Sequence, residues 1–195
     1  MRQGGVFGTP DDRGERLYVL KRGRVQVYEV DDEGRELTLL VAEGGTVLGE
    51  MVLTGQRLSG VYLRALKPSV FCTLREDLEY LIRRNPEVGL RLVKLLSRRL
   101  HVTTTRLAEF AYKDVLSRLA AQILRLLGSE GGVSGEGYKI PTRYTHEQLA
   151  TMIGSKRVAV SRAFAKLKEK GILELRDQRI CVADPEALKH IAGAY

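Results

Sequence analysis

The chain has 195 residues and a formal net charge of +8, from 32 basic and 24 acidic side chains. Its composition, 44% hydrophobic and 29% charged, excludes a disordered chain, and no apolar run approaches the ~18 residues of a membrane span. Two cysteines, Cys72 and Cys181, are too few for a disulfide framework or a four-thiolate metal site. These features favour a cytoplasmic protein with a polyanionic partner and no membrane role.

The first third of the chain predicts short antiparallel strands. Segments with strand-like composition occur at 17–20, 25–30, 37–41, 61–66 and 70–74, and turn residues separate them. The sequence Asp-Asp-Glu-Gly at 31–34 is typical of a hairpin turn. This regular spacing predicts an antiparallel barrel, roll or sandwich.

After residue 74 the pattern becomes helical. A short helix is predicted over 76–84 and ends at Asn85-Pro86, because a residue before proline avoids the helical conformation. A long helix is predicted over 86–112, about 38 Å in length, which favours burial of one face against a partner subunit. Its apolar stripe fits either a coiled-coil dimer or an ordinary core-packed helix. We call these residues the heptad stripe: Val93, Leu96, Leu100, Thr103, Leu107 and Phe110.

The segment from residue 145 predicts two helices joined by a tight turn. A third helix over 114–127 and a flexible glycine-rich loop over 128–137 precede it. Thr145 and Gln148 form a capping-box pattern, so a helix begins there. Gly154 suits the left-handed turn, and the next helix has an inward stripe of Val160, Ala163 and Leu167.

The outward face of that second helix is polar and basic. Between residues 139 and 170, eight cations face two glutamates, a local charge of +6. A generic helical hairpin explains the apolar stripes but not this placement of charge. The pattern therefore favours a helix-turn-helix, whose second helix enters the DNA major groove. The outward residues are Lys156, Arg157, Ser161, Arg162 and Lys166.

A hairpin is predicted after the helix-turn-helix. Strands at 171–175 and 180–182 flank a turn at 176–179, an arrangement known as a wing. Arg176 and Arg179 at its tip are predicted to contact DNA phosphates. Asp184-Pro185 then predicts the start of a final helix that ends near residue 191.

Enzymatic motifs are missing from the sequence. It contains no nucleophile elbow, phosphate-binding loop or metal-spaced histidine pair. The histidines (His101, His146 and His190) are far apart, which favours surface or packing roles over haem or metal ligation. We therefore predict a protein that is not an enzyme and holds no metal.

Several motifs together resemble the cyclic-AMP-receptor/FNR (CRP/FNR) family of bacterial transcription regulators. They are Gly49-Glu50-Met51, Asn85-Pro86, the residues at 99–104, the helix-turn-helix pattern at 149–162, Gly171-Ile172 and the residues at 184–188. The resemblance implies an α+β fold: a cyclic-nucleotide-binding-like antiparallel β-roll at 1–85, a dimerisation helix at 86–112 and a winged helix-turn-helix at 113–195. Compared with the family, the first domain is expected to be shortened at its N-terminus.

The resemblance also implies roles for individual residues. Val158 lies where well-known relatives place a base-reading glutamate, and here it could contact a thymine methyl group. The implied DNA contacts are Lys156, Arg157, Val158, Ser161, Arg162 and Lys166, with Arg176 and Arg179 in the wing. The implied effector pocket comprises Gly49, Glu50, Arg57, Ser59, Thr103 and Thr104, and the implied dimer interface is the heptad stripe.

The effector pocket departs from the family pattern at one place. The sequence Gly-Gln-Arg-Leu-Ser-Gly at 55–60 has no adjacent Arg-Ser pair, which holds the cyclic phosphate in nucleotide-responsive relatives. We therefore expect no cofactor and DNA binding without cyclic AMP, by a homodimer on a roughly palindromic promoter site. RNA polymerase is an expected partner if the protein is an activator. Two alternatives stay open: a cyclic-nucleotide-responsive regulator of this fold, and a nucleotide-sensing module that acts through protein contacts only.

Overall fold

The computed structural model describes residues 1–7, 17–50, 61–74, 78–133 and 138–193. The chain divides into two compact units, Met1–Val102 and Thr103–Tyr195. The division falls inside the long helix, so that helix contributes residues to both units. Among the described residues, no helix combines the length and the apolar character needed to cross a membrane.

Two antiparallel sheets build the first unit and confirm the predicted roll. One sheet has the strand order β1-β6-β3-β4 and the other β5-β2-β7. All of their strand pairs are antiparallel. The strands are β1 (Val6–Phe7), β2 (Leu17–Arg22), β3 (Arg24–Val30), β4 (Glu36–Glu43), β5 (Val47–Leu48), β6 (Val61–Ala65) and β7 (Val70–Leu74).

The core of the roll comes from the apolar residues that alternate along these strands. Phe7 of β1 packs against Phe71 of β7, with ring centroids 4.4 Å apart, so the short first strand contributes to the core. Cys72, the next residue of β7, is exposed. The buried cluster consists of Leu20, Val25, Ala42, Leu48 and Leu63.

The predicted turn between β3 and β4 is confirmed, and a side chain holds it. The Asp31 carboxylate accepts hydrogen bonds from the backbone N–H of Glu33 at 3.0 Å and of Arg35 at 2.9 Å. Gly34 follows in the left-handed region with φ 76°. An aspartate at the start of such a turn replaces the missing strand partners of these amides.

Three helices follow the roll: α1 (Leu78–Arg84), α2 (Pro86–Tyr112) and α3 (Val115–Glu130). The break at Asn85 is as predicted, and the Asn85 N–H donates to the Leu81 carbonyl at 2.8 Å, which closes α1. The predicted bounds of the long helix, 86–112, are confirmed by α2. Residues 76 and 77 of the predicted short helix lie outside the described residues.

Asp114 caps the start of α3. Its carboxylate accepts a hydrogen bond from the Ser117 N–H at 2.8 Å. This bond, above all, holds the pKa of Asp114 below its ordinary value, and the positive charges of Lys166 and Arg118 lower it further. The cap satisfies one of the backbone amides that a helix start leaves without a partner.

The far end of α3 corrects the prediction of a loop over 128–137. The helix continues to Glu130, and Gly132–Val133 forms a short strand; residues 134–137 lie outside the described residues. The last turn persists because the Glu130 carboxylate accepts hydrogen bonds from the hydroxyls of Thr142 and Tyr144. These tertiary contacts offset the low helix propensity of Gly128.

The second unit joins helices to a third antiparallel sheet of order β10-β11-β9-β8. Its strands are β8 (Gly132–Val133), β9 (Tyr138–Lys139), β10 (Leu173–Arg176) and β11 (Arg179–Val182). Its further helices are α4 (His146–Ile153), α5 (Arg157–Glu169) and α6 (Pro185–Ala192). The large side chains with at most 1% exposure form its core: Leu119, Ile123, Ile140, Leu149, Val160, Leu167, Leu173, Ile180, Val182 and Leu188.

Glu109, near the end of α2, is the one residue of that helix that the structure buries. Nη1 of Arg125, on α3, lies 2.9 Å and 3.0 Å from its two carboxylate oxygens. Nζ of Lys113 lies 3.6 Å from the same carboxylate and donates to the Ala192 carbonyl at 2.6 Å. Glu109 and Lys113 therefore connect the end of α2 to both α3 and α6.

Candidate nucleic-acid interface

The start of α4 has the predicted capping box. The Thr145 hydroxyl accepts a hydrogen bond from the Gln148 N–H at 3.1 Å, and the Gln148 side chain accepts one from the Thr145 N–H at 2.9 Å. Both amides would otherwise lack partners at this helix end. The two bonds fix where α4 begins, as predicted from these two residue types alone.

Gly154 makes the turn between α4 and α5. Its backbone lies in the left-handed region, with φ 56° and ψ 54°. The Gly154 N–H and the Ser155 N–H both donate to the Ala150 carbonyl. A side chain at position 154 would strain this conformation, which explains why glycine stands there.

The inward side of α5 is buried as predicted. Val160 and Leu167 are 0% exposed and Ala163 is 5% exposed. Phe164, which the pattern analysis did not include, is also buried, at 3% exposure. This packing against the rest of the second unit determines which side of α5 remains at the surface.

The exposed side of α5 carries most of the predicted DNA contacts. Val158 lies on this side and is 61% exposed. The cations on this surface are Lys156, Arg157, Arg162 and Lys166, all exposed. This set of charged side chains is what a helix that enters a DNA groove needs.

Ser161 differs from the other predicted contacts, because it is only partly exposed. Its hydroxyl lies 2.8 Å from Nδ1 of His146, the first residue of α4. The His146 ring also contacts the Phe164 ring, with centroids 5.0 Å apart. His146 was predicted to be a surface or packing residue, and this contact across the two helices was missed.

The wing has the predicted hairpin with a two-residue turn. Asp177 and Gln178 both have positive φ, 52° and 61°, which is the geometry of a type I′ turn. Nζ of Lys139, on the neighbouring β9, lies 3.3 Å from the Asp177 carboxylate. The pairing of β9 with β11 was not predicted, and it brings Lys139 to the tip of the wing.

Both wing arginines have partners within the protein. The Arg176 guanidinium lies 2.9 Å from the Glu174 carboxylate, and both groups are about half exposed. Arg179 Nε donates to the Pro141 carbonyl at 2.8 Å. An exposed pair such as Arg176–Glu174 is weak, so its guanidinium can exchange this partner for a phosphate.

The heptad stripe is at the surface of α2. Exposure is 67% for Leu100 and 68% for Leu107, and 61% for Val93. Leu96 and Phe110 are 37% and 42% exposed, and Thr103 is also exposed. The predicted stripe is thus a row of large apolar side chains that the described part of the chain leaves in contact with solvent.

The predicted effector residues belong to three segments of the chain: the two residues after β5, the helix α2, and residues 57 and 59. Gly49 has a left-handed backbone with φ 90°, and the Glu50 carboxylate forms an ion pair with Arg99 of α2. Arg99 also donates to the Val47 carbonyl. Thr103 and Thr104 are exposed on α2, and Arg57 and Ser59 lie outside the described residues.

A separate apolar cavity of about 350 Å³ lies in the first unit. It is bounded by β2 and β5 of the roll and by α1 and the first turns of α2. Glu50 is not among the residues that line it. Among the described residues, no group of three or more metal-binding side chains is close enough to hold an ion.

Comparisons with known proteins identify two domains that the chain matches. Residues 2–85 match the cyclic nucleotide-binding domain, and residues 117–191 match the Crp-like helix-turn-helix domain. The chain is 31% identical to the global nitrogen regulator of Synechocystis sp., over 92% of this chain and 81% of that protein. It is also 31% identical to the cyclic AMP receptor protein of Thermus thermophilus, over 97% and 85% of the two chains.

Solved structures of transcription regulators are similar to this chain in fold. A CRP/FNR-family transcriptional regulator from Thermus thermophilus matches with a TM-score of 0.80 and 26% identity, over 99% of this chain and 96% of that chain. The c-di-GMP-responsive global regulator of Xanthomonas campestris matches with a TM-score of 0.82 and 25% identity, over 94% and 92%.

Proposed function

Because this chain belongs to the CRP/FNR family of transcription regulators, we propose that it binds DNA sequence-specifically, as a homodimer on an approximately palindromic promoter site. The observation that supports this most is the surface of α5. Its inward side is fully packed, and its outward side carries exposed Arg157 and Arg162 beside exposed Val158. Such a protein acts in the cytoplasm, where bacterial DNA lies.

Base reading falls to three residues of α5. Arg157 and Arg162 each present a planar guanidinium that can donate to guanine O6 and N7 together, worth roughly 1–3 kcal/mol of discrimination. Val158 cannot accept a hydrogen bond, so it contacts an apolar group such as a thymine methyl. Lys156 and Lys166 are flexible point charges and suit the phosphates on either side of the groove.

The wing adds phosphate contacts that carry no sequence information. Arg176 can exchange its exposed partner Glu174 for a phosphate oxygen, while Arg179 stays bound to the Pro141 carbonyl and contributes its charge. Lys139 lies beside the wing turn and adds a further cation there. The wing thereby fixes the orientation of α5 on the duplex.

Dimerisation through the heptad stripe provides the two-fold symmetry. Burial of Leu100 and Leu107 between two copies of α2 removes large apolar side chains from water. Two α5 helices then reach successive major grooves about 34 Å apart, which requires a palindromic site. If the protein is an activator, RNA polymerase is the further partner.

DNA binding does not depend on cyclic AMP in this proposal. The sequence at 55–60 lacks the adjacent Arg-Ser pair for the cyclic phosphate. In addition, a ribose hydroxyl would have to share Glu50 with its ion-pair partner Arg99. The second candidate is a cyclic-nucleotide-responsive regulator of the same fold, which is favoured by the match of residues 2–85 to the cyclic nucleotide-binding domain.

The decisive experiment is selection of bound sites from random DNA by the full chain, with and without cyclic AMP. We expect a palindromic consensus in both conditions, and binding to it that weakens steeply as salt rises. A consensus that appears only with cyclic AMP would support the second candidate. The proposal fails if no DNA is retained at low salt in either condition.

Two variants then test the role of α5 in that binding. Arg157→Ala is expected to weaken binding to the selected site by roughly 1–3 kcal/mol, with a much smaller loss on random DNA. Arg83→Ala is the matched control, since Arg83 is an exposed arginine of α1 with a helical ion-pair partner. An equal loss on both DNAs would assign Arg157 to phosphates instead.

A further inference from the structure

One hydrogen bond joins the two helices of the helix-turn-helix directly. His146 is the first residue of α4, and its Nδ1 lies 2.8 Å from the hydroxyl of Ser161 on α5. The imidazole ring also packs on Phe164, with the two ring centroids 5.0 Å apart. His146 therefore holds α5 at two positions, by one polar and one apolar contact.

These two positions share one side of α5. Ser161 and Phe164 are three residues apart, a spacing that makes side chains neighbours on a helix. Phe164 is 3% exposed and so cannot move without disturbing the core of the second unit. The ring of His146, which belongs to α4, thus lies against a fixed surface, and its hydrogen bond to Ser161 adds to the core packing that holds α5 against rotation about its own axis.

That rotation matters for the proposed base contacts. Ser161 lies one helical turn after Arg157 and directly before Arg162. Recognition of guanine by arginine requires both N–H groups to be aimed at O6 and N7 together. A small rotation of α5 moves the long guanidinium side chains out of that geometry but leaves their charge near the phosphates.

We infer that His146 is a positioning residue for base reading, which acts through the Ser161 hydroxyl rather than by contacting DNA. The inference rests on the proposed function. It also changes the role of Ser161. The resemblance of the chain to the family implied that Ser161 contacts DNA, whereas here it holds His146. The Ser161 hydroxyl is engaged by the His146 ring at 2.8 Å, whichever of the two groups donates the proton.

The test uses a double-mutant cycle on the full chain. His146→Phe keeps a ring against Phe164 but removes the hydrogen bond, and Ser161→Ala removes it from the other side. The double variant closes the cycle. His190→Phe on α6 is the control, since His190 is an exposed histidine outside the helix-turn-helix. Dissociation constants are measured for the selected site and for a random duplex of the same length, and thermal unfolding midpoints check that each variant is folded.

We expect each single variant to bind the selected site about three- to tenfold more weakly, the usual size for one hydrogen bond. The double variant should lose no more than either single variant. Binding to random DNA and the salt dependence should stay unchanged, as should every property of His190→Phe. A purely structural role would not lower the ratio of specific to random binding.

Three results would overturn the inference. Losses that multiply in the double variant would make the two residues independent. An equal loss on selected and random DNA would make His146 a phosphate contact, and no loss would leave it without a role in reading. In each case the wild-type chain still prefers its selected site. If the wild type shows no such preference, the proposed function has failed instead.

Discussion

Helices α2 and α3 follow one another in the chain, yet the structure buries them very differently. In α3, six of 16 residues are buried, and α4, α5 and α6 of the same chain pack against it. In α2, the buried residue among 27 is Glu109, while Leu100 and Leu107 are about two-thirds exposed. A row of exposed large apolar side chains marks an interaction surface. The contrast therefore separates a helix that builds a domain core from one whose apolar stripe stays exposed in the single chain.

The largest expected effect tests the exposed helix. Leu100→Asp places a charge in the proposed dimer interface, so dimers should dissociate and binding to a palindromic site should fall by about 10²–10⁴. Sedimentation measures the fraction of dimer and gel shift measures the affinity for DNA, both on one sample. Val102→Asp is the control, since Val102 is also an exposed aliphatic residue of α2 but points away from the stripe. A monomeric Leu100→Asp with full affinity would refute the dimer.

Replacement of a leucine by alanine in the buried helix α3 should lower the stability of the fold, whereas the same replacement in α2 should not. Leu119 of α3 is 0% exposed, so Leu119→Ala should lower the free energy of unfolding by about 2–5 kcal/mol. Leu107→Ala in α2 removes a side chain that is 68% exposed and should cost the dissociated chain little. Urea denaturation at low protein concentration compares the two. Equal costs would erase the distinction between the helices.

Glu109 tests the link between the two helices. Glu109→Ala leaves the Arg125 guanidinium of α3 without its carboxylate, and a loss of about 1.5–3 kcal/mol in unfolding free energy is expected. Arg125 is about one-third exposed, which places the expected loss at the lower end of that range. The double variant with Arg125→Ala should lose less than the two single losses summed, as urea denaturation can show.

The smallest expected effect concerns the cap of α3. Asp114→Ala removes the acceptor for the Ser117 N–H and should cost about 0.5–2 kcal/mol. The pKa of Asp114 is lowered in the folded chain, so its charged form stabilises the fold above the ordinary value of 3.8, and this is lost as the pH falls through the folded pKa. Asp114→Asn should keep most of the cap and lose that pH dependence. Thermal unfolding from pH 6 down to pH 3 tests it.

The parts of the fold that the sequence predicted are those that local chemistry determines. Asn85-Pro86 ends one helix and starts the next, Thr145 with Gln148 starts α4, and Gly154 turns the chain. Each depends on a few neighbouring residues and on backbone N–H and C=O groups at helix ends that have no partner within the helix. The inward stripe of α5 was likewise predictable, because apolar residues on one side of a helix recur every three or four positions.

The parts that were missed depend on residues far apart in the chain. Strands β8 and β9 have two residues each, too few to show a period, and β9 exists because it pairs with β11. The end of α3 depends on Thr142 and Tyr144, and the contact of His146 with Ser161 needs two helices already packed. A pattern along one segment contains no record of such partners.

The two cysteines give the chain a built-in reporter. The Cys72 thiol is exposed on β7, whereas the Cys181 thiol is buried in β11. A thiol reagent under native conditions should therefore attach one spin label or fluorophore per chain, in the roll and far in sequence from α5. In a symmetric dimer the two labels form a single pair, and the distance between them can be followed while DNA or a nucleotide is added. No residue of the wild-type sequence needs to be replaced for that measurement.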